Sequence, residues 1–409
     1  MYRYLTGSIT FRVYTVLLIV SLTVLCFIIL KNNFINDNSA LYNRQPMRVL
    51  NPADGVEIIS KNEDITSPRN LSKRMKTILY WTMMFKSKNF YFGDGDIFLD
   101  CPIFSCLGTN DRNYQPVENF DAILFHGPEL NYKDLPKKRS PHQRYIFMNS
   151  ETQIYHPIPN HPTFNNFFNW TITYRRDADI MRPYGVVKII KTNEIIPPYL
   201  PAVWKNLTDT SVPKEIDLIV QNKTKMAAWF VSNCFTSSRR ENVVKRLQKY
   251  MDIDIYGKCG KLECPREIET ECYEKLNDNY FFYLSFENSL CRDYLTEKVF
   301  RVLEYNVIPV VYGSADYSTF LPPDSYINAR DFASLEELAK FLKALVKDTQ
   351  RYLSYFKWKS HYYIDTSKRY INCQLCEALH NNNEIRNQTY KDIYRWWTIG
   401  SGCESGPKL

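Results

Sequence analysis

Short apolar runs alternate with amphipathic stretches over the second half of the sequence. The β-prone runs predict buried strands at 227–231, 253–256, 280–286 and 307–311. The spacing of apolar residues between these runs predicts helices over 239–250, from Thr296 onward and after the capping box at Ser334. We expect Ser237-Ser238 to supply the first N-cap and Asn306 to end the second helix in the left-handed conformation. Repeated strand–helix–strand order is typical of an α/β fold with a parallel, doubly wound sheet.

The first half of the sequence contains fewer regular patterns. Two β-type runs, at 77–81 and 121–126, predict buried strands. Prolines are dense between Pro136 and Pro213, which favours loops over long helices. We therefore assign 76–215 to an N-terminal domain and 216–409 to a C-terminal domain.

An uncharged apolar run of eighteen residues begins at Val13 and ends at Leu30. Its length is close to the ~20 residues that cross a bilayer, so it predicts one transmembrane signal-anchor over 13–30. Arg3 and Arg12 precede the run, which favours a cytoplasmic tail over 1–12 and a lumenal body. The polar segment 31–75 is typical of a stem. A cleaved signal peptide is the alternative, but the run is longer than an ordinary signal core.

Composition limits the class of protein further. The chain has 409 residues, of which 44% are hydrophobic and 15% aromatic, so it can bury ordinary cores and is neither disordered nor fibrous. The formal net charge of +8 suits phosphate-bearing ligands or an anionic surface without choosing between them. A lumenal body argues against nucleic acid as a partner.

The cysteines support an oxidising compartment. Cys26 lies in the apolar run, and the ten cysteines beyond it form an even set that predicts disulfides. Three closely spaced pairs, Cys101/Cys106, Cys259/Cys264 and Cys373/Cys376, are each able to close a short loop, although the sequence leaves the connectivity open. A zinc site at Cys373 and Cys376 with His380 is the alternative, and it lacks a second matching pair. Sequons compatible with the secretory route occur at Asn70, Asn169, Asn206, Asn222 and Asn387.

Polar chemistry concentrates in the segment 287–298, directly after the predicted strand 280–286. In a parallel sheet, ligands bind beyond the carboxyl ends of the strands. Free backbone N–H groups near Thr296 and the ammonium of Lys298 suit a diphosphate, and Glu297 can accept hydrogen bonds from sugar hydroxyls. The alternative is a capped helix start with a solvated charge cluster.

The same segment resembles the donor-binding signature of the α1,3/4-fucosyltransferases, through Phe286-Glu-Asn-Ser289 and Arg292-Asp-Tyr-Leu-Thr-Glu-Lys298. The likeness spans about 330 residues from Thr77 and extends to segments 168–171, 174–179, 183–185, 228–233, 307–313 and 325–328. The cysteine-bearing stretch 256–272 is similar to that of invertebrate members. This resemblance implies a GT-B architecture, in which two Rossmann-like domains face a cleft, preceded by one transmembrane helix. It also implies a single-pass type II Golgi membrane enzyme that uses GDP-β-L-fucose.

Family positions imply roles for particular residues. By this resemblance, the nucleotide sugar is held by Asn288, Tyr294, Glu297 and Lys298, with Lys298 at the diphosphate. Arg240 matches a second phosphate-binding cation, and the neighbouring Arg239 is the alternative.

The family's reaction inverts the anomeric centre, so it requires a general base for the acceptor hydroxyl and positive charge for the departing diphosphate. Glu151 falls at the position of the family's proposed catalytic glutamate, although Thr152-Gln153 replaces the usual Ser-Pro. His126, at the end of a predicted strand, is a second candidate base or acceptor contact.

No obligatory metal is predicted. The D-x-D pattern of metal-dependent transferases occurs at residues 94–96, 177–179 and 252–254. Because it occurs three times in one chain, the pattern is weak evidence for a metal site. Lys298 and Arg240 can instead supply the positive charge, so Mn²⁺ is expected at most to stimulate.

The leading hypothesis is an inverting α-1,3-fucosyltransferase that moves L-fucose from GDP-β-L-fucose to a GlcNAc hydroxyl of glycoprotein or glycolipid glycans. The alternatives are a non-catalytic, lectin-like type II membrane protein of the same fold and a GT-B glycosyltransferase with another nucleotide-sugar donor. The sequence leaves open the oligomeric state and the choice between core chitobiose and antennal acceptors.

Overall fold

The computed structural model describes residues 74–207, 211–367, 369–381 and 388–406. The predicted tail, transmembrane segment 13–30 and nearly all of the stem lie outside these ranges. Within the described ranges, none of the helices has the length and apolar character needed to span a bilayer.

The regular elements follow the chain in two blocks. The strands are β1 Lys76–Tyr80, β2 Cys106–Thr109, β3 Ala122–His126, β4 Arg144–Asn149, β5 Trp170–Thr173, β6 Ile180–Met181, β7 Val186–Ile189, β8 Ile195–Ile196, β9 Lys225–Phe230, β10 Ile253–Tyr256, β11 Tyr280–Phe286, β12 Ile308–Tyr312, β13 Ile327–Asn328 and β14 Tyr362–Asp365. The α-helices are α1 Lys214–Gln221, α2 Arg240–Leu247, α3 Glu269–Asn279, α4 Glu297–Leu303, α5 Leu335–Lys347, α6 Thr349–Ser354, α7 Arg369–His380 and α8 Ile393–Thr398.

The first sheet has the strand order β2-β1-β3-β4-β5-β6, and all of its strands are parallel. Every residue of β3 and β4 is buried, as expected for a parallel sheet covered on both faces. The strands predicted at 77–81 and 121–126 are confirmed as β1 and β3. Between residues 74 and 207 the connections are loops and short 3₁₀ turns, which agrees with the proline density there.

The second sheet has the order β10-β9-β11-β12-β13 and is also parallel throughout. The four strands predicted after residue 213 are confirmed as β9 to β12. Helices α1 to α5 connect or flank these strands, so the predicted α/β class with a parallel sheet is confirmed. A small antiparallel sheet, β14-β7-β8, joins the two halves of the chain.

Two of the three predicted helix ends differ from the structure. Helix α2 begins after Arg239, which has a left-handed φ of 51°, and the Ser238 hydroxyl donates a 2.7 Å hydrogen bond to Glu287 O instead of capping the helix. Helix α4 ends at Leu303, and Asn306 is absent from the described residues with positive φ, so that prediction is wrong. Ser334 does cap α5, since its Oγ accepts a 3.2 Å hydrogen bond from Glu337 N.

The ten predicted cysteines form five disulfides, which confirms the oxidised set but not the short loops. The bonds are Cys101–Cys373, Cys106–Cys376, Cys234–Cys259, Cys264–Cys272 and Cys291–Cys403. The three closely spaced pairs are therefore wrong as partners, because none of their cysteines bonds to the other member of its pair; Cys264 instead closes an eight-residue separation to Cys272. The zinc alternative also fails: Cys373 and Cys376 have no free thiolate, and His380 contacts the backbone oxygen of Ser105 at 2.9 Å.

The chain returns to the first sheet near its end. Helix α7 packs through Ile371, Leu375 and Leu379 into the core beneath β1, β3 and β4. Two of the disulfides attach the same helix to Cys101 and Cys106.

Candidate active site

Two loops from different sheets meet at the carboxyl ends of their strands. Residues 150–155 follow β4 of the first sheet, and residues 287–296, which we call the donor loop, follow β11 of the second. Thr152 Oγ1 and Ser289 Oγ share a 2.9 Å hydrogen bond, and both side chains are buried. Ser237 N also donates to the Tyr155 hydroxyl at 3.0 Å. Thr152 thus joins the loops that follow the two sheets.

A buried carboxylate organises the donor loop. The side chain of Glu287 is 1% exposed and accepts hydrogen bonds from Thr296 N at 2.9 Å and Thr296 Oγ1 at 2.8 Å. Burial raises its pKa, while Lys298 opposes that shift. The Cys291–Cys403 disulfide and a 2.7 Å hydrogen bond from Glu404 N to Leu290 O tie the loop to the C-terminal segment. The loop is therefore fixed by the contact between its two ends, Glu287 and Thr296, and by two links from its middle to the C-terminal segment.

Lys298 lies in the first turn of α4, beside this carboxylate. Its Nζ is 3.2 Å from a Glu287 oxygen and 3.2 Å from a Glu297 oxygen, and it donates to Thr296 Oγ1 at 2.8 Å. Although burial opposes the charged form, the Glu287 and Glu297 carboxylates raise the pKa of Lys298 above its usual value. The amine is therefore a cation at any physiological pH.

Arg240, the first residue of α2, is 4% exposed. Its Nη1 donates a 2.6 Å hydrogen bond to Phe286 O, at the end of β11, and its buried Nε has no acceptor among the described residues. Burial lowers the pKa of this guanidinium, and the Glu287 carboxylate opposes the shift. Arg239 is exposed, whereas Arg240 is buried. Of the two alternatives, Arg240 is the arginine beside the donor loop.

Arg240 and Lys298 line a cavity of about 220 Å³, which we call the smaller cavity. Its other walls include four aromatic rings, those of Phe230, Tyr256, Tyr273 and Tyr283. The presence of cations and flat aromatic rings in one cavity suits a ligand with both phosphate groups and a planar base.

Glu151 lies on the other side of the donor loop. Its Oε2 accepts a 2.7 Å hydrogen bond from the Tyr294 hydroxyl, and its Oε1 accepts one of 3.3 Å from Tyr184. Burial raises the pKa of Glu151, and the Tyr294 hydrogen bond and the charge of Lys298 oppose this shift. A carboxylate with a raised pKa is a stronger base than an exposed one, as general base catalysis requires.

Glu151 lines a second cavity of about 570 Å³, the larger cavity. Its walls also include Met84, Phe85, Arg182, Tyr184 and Arg301. Glu297, whose side chain is 55% exposed, lines both cavities. The two cavities therefore adjoin one another, with Glu151 in the larger and with Arg240 and Lys298 in the smaller.

The structure brings most of the predicted site residues together: Glu151, Arg240, Asn288, Tyr294, Glu297 and Lys298. The Asn288 backbone oxygen accepts a 3.1 Å hydrogen bond from Ser237 Oγ. Its buried side-chain oxygen has no partner in the described part of the chain, so that atom has capacity for a ligand.

His126 lies apart from this group. Its ring is fully buried, its Nδ1 contacts a Glu129 oxygen, and its ring centre is 4.8 Å from that of Phe85. Burial, with smaller contributions from the charges of His156 and Arg182, lowers its pKa to about 3. His126 lines neither cavity, although Phe85 does.

In two of the three D-x-D motifs, one carboxylate is occupied by structural contacts. Asp177 pairs with Arg175 and Arg292, while Asp254 accepts from Tyr280 at 2.6 Å and Lys225 at 2.8 Å. The sequence alone gave no role to Glu287, Tyr184 or Arg182. Glu287 lies within the polar segment 287–298, but its burial against Lys298 depends on the tertiary fold.

The fold and the site together define an α/β protein with a polar site where two parallel sheets present their carboxyl ends. Two family models match this chain: the fucosyltransferase N-terminal model over residues 73–185, and the glycosyltransferase family 10 (fucosyltransferase) C-terminal model over residues 220–396. The chain belongs to glycosyltransferase family 10, the fucosyltransferases, and is a glycosyltransferase.

Two relatives from Drosophila melanogaster agree with this assignment. The chain is 41% identical to alpha-(1,3)-fucosyltransferase C of Drosophila melanogaster, over 82% of this chain and 80% of that protein. It is 36% identical to glycoprotein 3-alpha-L-fucosyltransferase A of the same species, over 75% of this chain but only 58% of that protein. A crystal structure of an alpha1,3-fucosyltransferase with GDP-fucose matches 80% of this chain and 96% of its own, at 18% identity and a TM-score of 0.48.

Proposed function

We propose that this protein transfers L-fucose from GDP-β-L-fucose to a GlcNAc hydroxyl of glycoprotein or glycolipid glycans, in α1,3 linkage and with inversion. Family membership and the names of its relatives support the reaction. The structural observation that carries the proposal is the 2.7 Å hydrogen bond between Tyr294 and Glu151. It joins a partly buried carboxylate after the first sheet to the donor loop of the second, so base and cations serve one site.

On the donor side, Lys298 and Arg240 neutralise the diphosphate. Both are cations that line the smaller cavity. Lys298 is held by carboxylates, and the Nε of Arg240 has no partner among the described residues. Asn288, Tyr294 and Glu297 contact the sugar and ribose. Fixed cations stabilise the negative charge that develops on the leaving diphosphate, which lowers the barrier to departure.

On the acceptor side, Glu151 removes the proton from the attacking hydroxyl. The larger cavity that it lines is of the size that encloses small-molecule ligands. Direct attack on the face opposite the departing GDP inverts the anomeric centre, and no covalent intermediate on the protein is needed.

We further propose that the reaction has no obligatory metal and that Mn²⁺ at most stimulates it, because Lys298 and Arg240 supply the positive charge. We also propose a GT-B architecture with an acceptor-binding domain over 76–215 and a donor-binding domain over 216–409. The protein is anchored in the Golgi membrane through 13–30 as a type II protein.

The test uses the purified full-length chain with a panel of nucleotide sugars and defined oligosaccharides. We expect fucose transfer from GDP-fucose to GlcNAc-containing acceptors, with an α1,3 linkage read by NMR. Transfer from a different nucleotide sugar would favour another donor specificity. Glycan binding without consumption of any donor would favour the lectin-like alternative. Comparison of chitobiose and N-acetyllactosamine acceptors identifies the preferred glycan position.

A further inference from the structure

We propose that Arg182 binds the N-acetyl group of the acceptor GlcNAc and thereby selects it over glucose. This inference rests on the proposed function and names the group that the larger cavity recognises. It depends on the position of Arg182 beside the base, on the lack of a counter-ion for its guanidinium and on the apolar side chains that share its cavity.

Arg182 follows β6 and is partly buried. Its Nη1 contacts Ser150 Oγ, a neutral acceptor, and its buried Nε has no acceptor among the described residues. It forms no ion pair with any carboxylate in the part of the chain that the structure describes, and burial lowers its pKa. A partly buried guanidinium with several N–H donors and one neutral partner has capacity for a ligand.

A second arginine in the same cavity differs from Arg182 because its charge is paired within the protein. Arg301 also lines the larger cavity, but its Nη1 is 2.8 Å from a Glu269 carboxylate and its guanidinium lies 4.6 Å from the centre of the Tyr273 ring. Its charge is thus already compensated within the protein. Arg182 has no such partner, so a ligand would complete its contacts rather than compete for them.

The chemistry of the acceptor places the N-acetyl group near Arg182. In α1,3 transfer the reacting oxygen is on C3, and the N-acetyl group is on the adjacent carbon, C2. If Glu151 accepts the proton from that oxygen, the amide must lie next to the Glu151 carboxylate. Ser150, the contact of Arg182, is the residue before Glu151 in the chain. The guanidinium is therefore suited to donate to the amide oxygen.

The methyl of the N-acetyl group requires an apolar surface, and Met84 and Phe85 line the same cavity as Arg182. Glucose has a hydroxyl at C2, which offers neither the amide oxygen nor the methyl. The cavity thus has matching groups for both parts of the N-acetyl substituent.

The test measures kcat/KM with GDP-fucose for two acceptors that differ only at this group, N-acetyllactosamine and lactose. Arg182→Met should lower kcat/KM for N-acetyllactosamine by roughly tenfold to hundredfold, the usual effect of a hydrogen bond from a charged group. It should change the value for lactose little and leave the KM for GDP-fucose unchanged. Arg182→Lys, which keeps a charged donor, should recover part of the preference.

Arg301→Met is the matched control, because it removes a guanidinium from the same cavity and should leave the ratio between the two acceptors unchanged. Equal losses for both acceptors in Arg182→Met, or a raised KM for GDP-fucose, would overturn the assignment. GDP binding verifies that each variant is folded. If Arg182→Met does not bind GDP, the test relies on Arg182→Lys. A ratio of kcat/KM for N-acetyllactosamine to kcat/KM for lactose equal to that of the unaltered protein then overturns the proposal. Failure of the unaltered protein to transfer fucose contradicts the proposed function itself.

Discussion

The hydroxyl of Tyr294 donates a 2.7 Å hydrogen bond to the carboxylate of Glu151. Tyr294 belongs to the donor loop after β11, whereas Glu151 follows β4 of the other sheet. The residue proposed to remove the acceptor proton is thus held by the loop proposed to bind the sugar nucleotide. A shift of the donor loop would change both the position and the basicity of Glu151.

Glu151→Gln should lower kcat by about 10² to 10⁴, the range that a positioned general base contributes. The amide cannot accept the acceptor proton, but it is nearly isosteric with the carboxylate, so GDP affinity should be kept. Steady-state kinetics and calorimetric GDP binding measure the two effects. Glu336→Gln, on the surface of α5, is the control. Wild-type kcat in Glu151→Gln would remove Glu151 as the base.

Tyr294→Phe should move the acid limb of the kcat/KM profile to higher pH. Burial already raises the pKa of Glu151, and the Tyr294 hydrogen bond opposes that rise. Loss of the bond raises the pKa further, and activity disappears as pH falls through it because the base becomes protonated. A bond to a charged group corresponds to a shift of about 1 to 2 pH units.

Tyr363→Phe is the control for this experiment, since it removes a hydroxyl bonded to Asn193 on the surface. Its acid limb should match that of the unaltered protein. An acid limb in Tyr294→Phe that stays in place, or moves to lower pH, would show that Glu151 is not the titrating group.

Lys298→Met should reduce both stability and donor affinity, for separable reasons. It leaves the carboxylate of Glu287, which is 1% exposed, without its cation, and such a loss costs about 3 kcal/mol of unfolding free energy. Removal of a phosphate contact should also weaken GDP binding, roughly tenfold to hundredfold. Denaturant titration and calorimetry measure the two quantities.

The double variant Glu287→Gln with Lys298→Met separates the two roles of Lys298. It removes the unpaired charge, so most of the lost stability should return while GDP affinity stays low. Recovery of GDP affinity together with stability would mean that Lys298 acts only by supporting the donor loop.

Exhaustive EDTA treatment should leave fucose transfer in place. The positive charge near the donor loop comes from Lys298 and Arg240, and burial does not neutralise Lys298, whose pKa is raised by Glu287 and Glu297. Initial rates with GDP-fucose before and after treatment, and after addition of Mn²⁺, measure the dependence. Abolished transfer that Mn²⁺ restores would contradict the prediction.

Strands were the most predictable part of the fold. Buried parallel strands such as β3 and β11 are continuous apolar runs, and such runs are visible in a sequence. Helix ends were less predictable, because Arg239 adopts a left-handed conformation and Ser238 bonds to Glu287 across the fold. The disulfides were the least predictable, since partners up to 272 residues apart leave no local signal.

The candidate site could also be predicted only in part from the sequence. Motif positions located the donor loop and Glu151, and the structure places them together. Motifs did not distinguish Arg239 from Arg240, whereas burial does. The fully enclosed position of His126 and the pairing of Glu287 with Lys298 depend on how two sheets pack, and a single sequence does not contain that information.

Helix α7, which is attached to Cys101 and Cys106, has a consequence for how the protein is made. A ribosome delivers the chain from its N-terminus, so the first sheet emerges long before the helix that covers part of it. Until α7 has been synthesised, the apolar surface beneath β1 remains exposed, and the thiols of Cys101 and Cys106 have no disulfide partners. We therefore expect the first sheet to depend on residues 369–380 for both its apolar cover and the oxidation of Cys101 and Cys106.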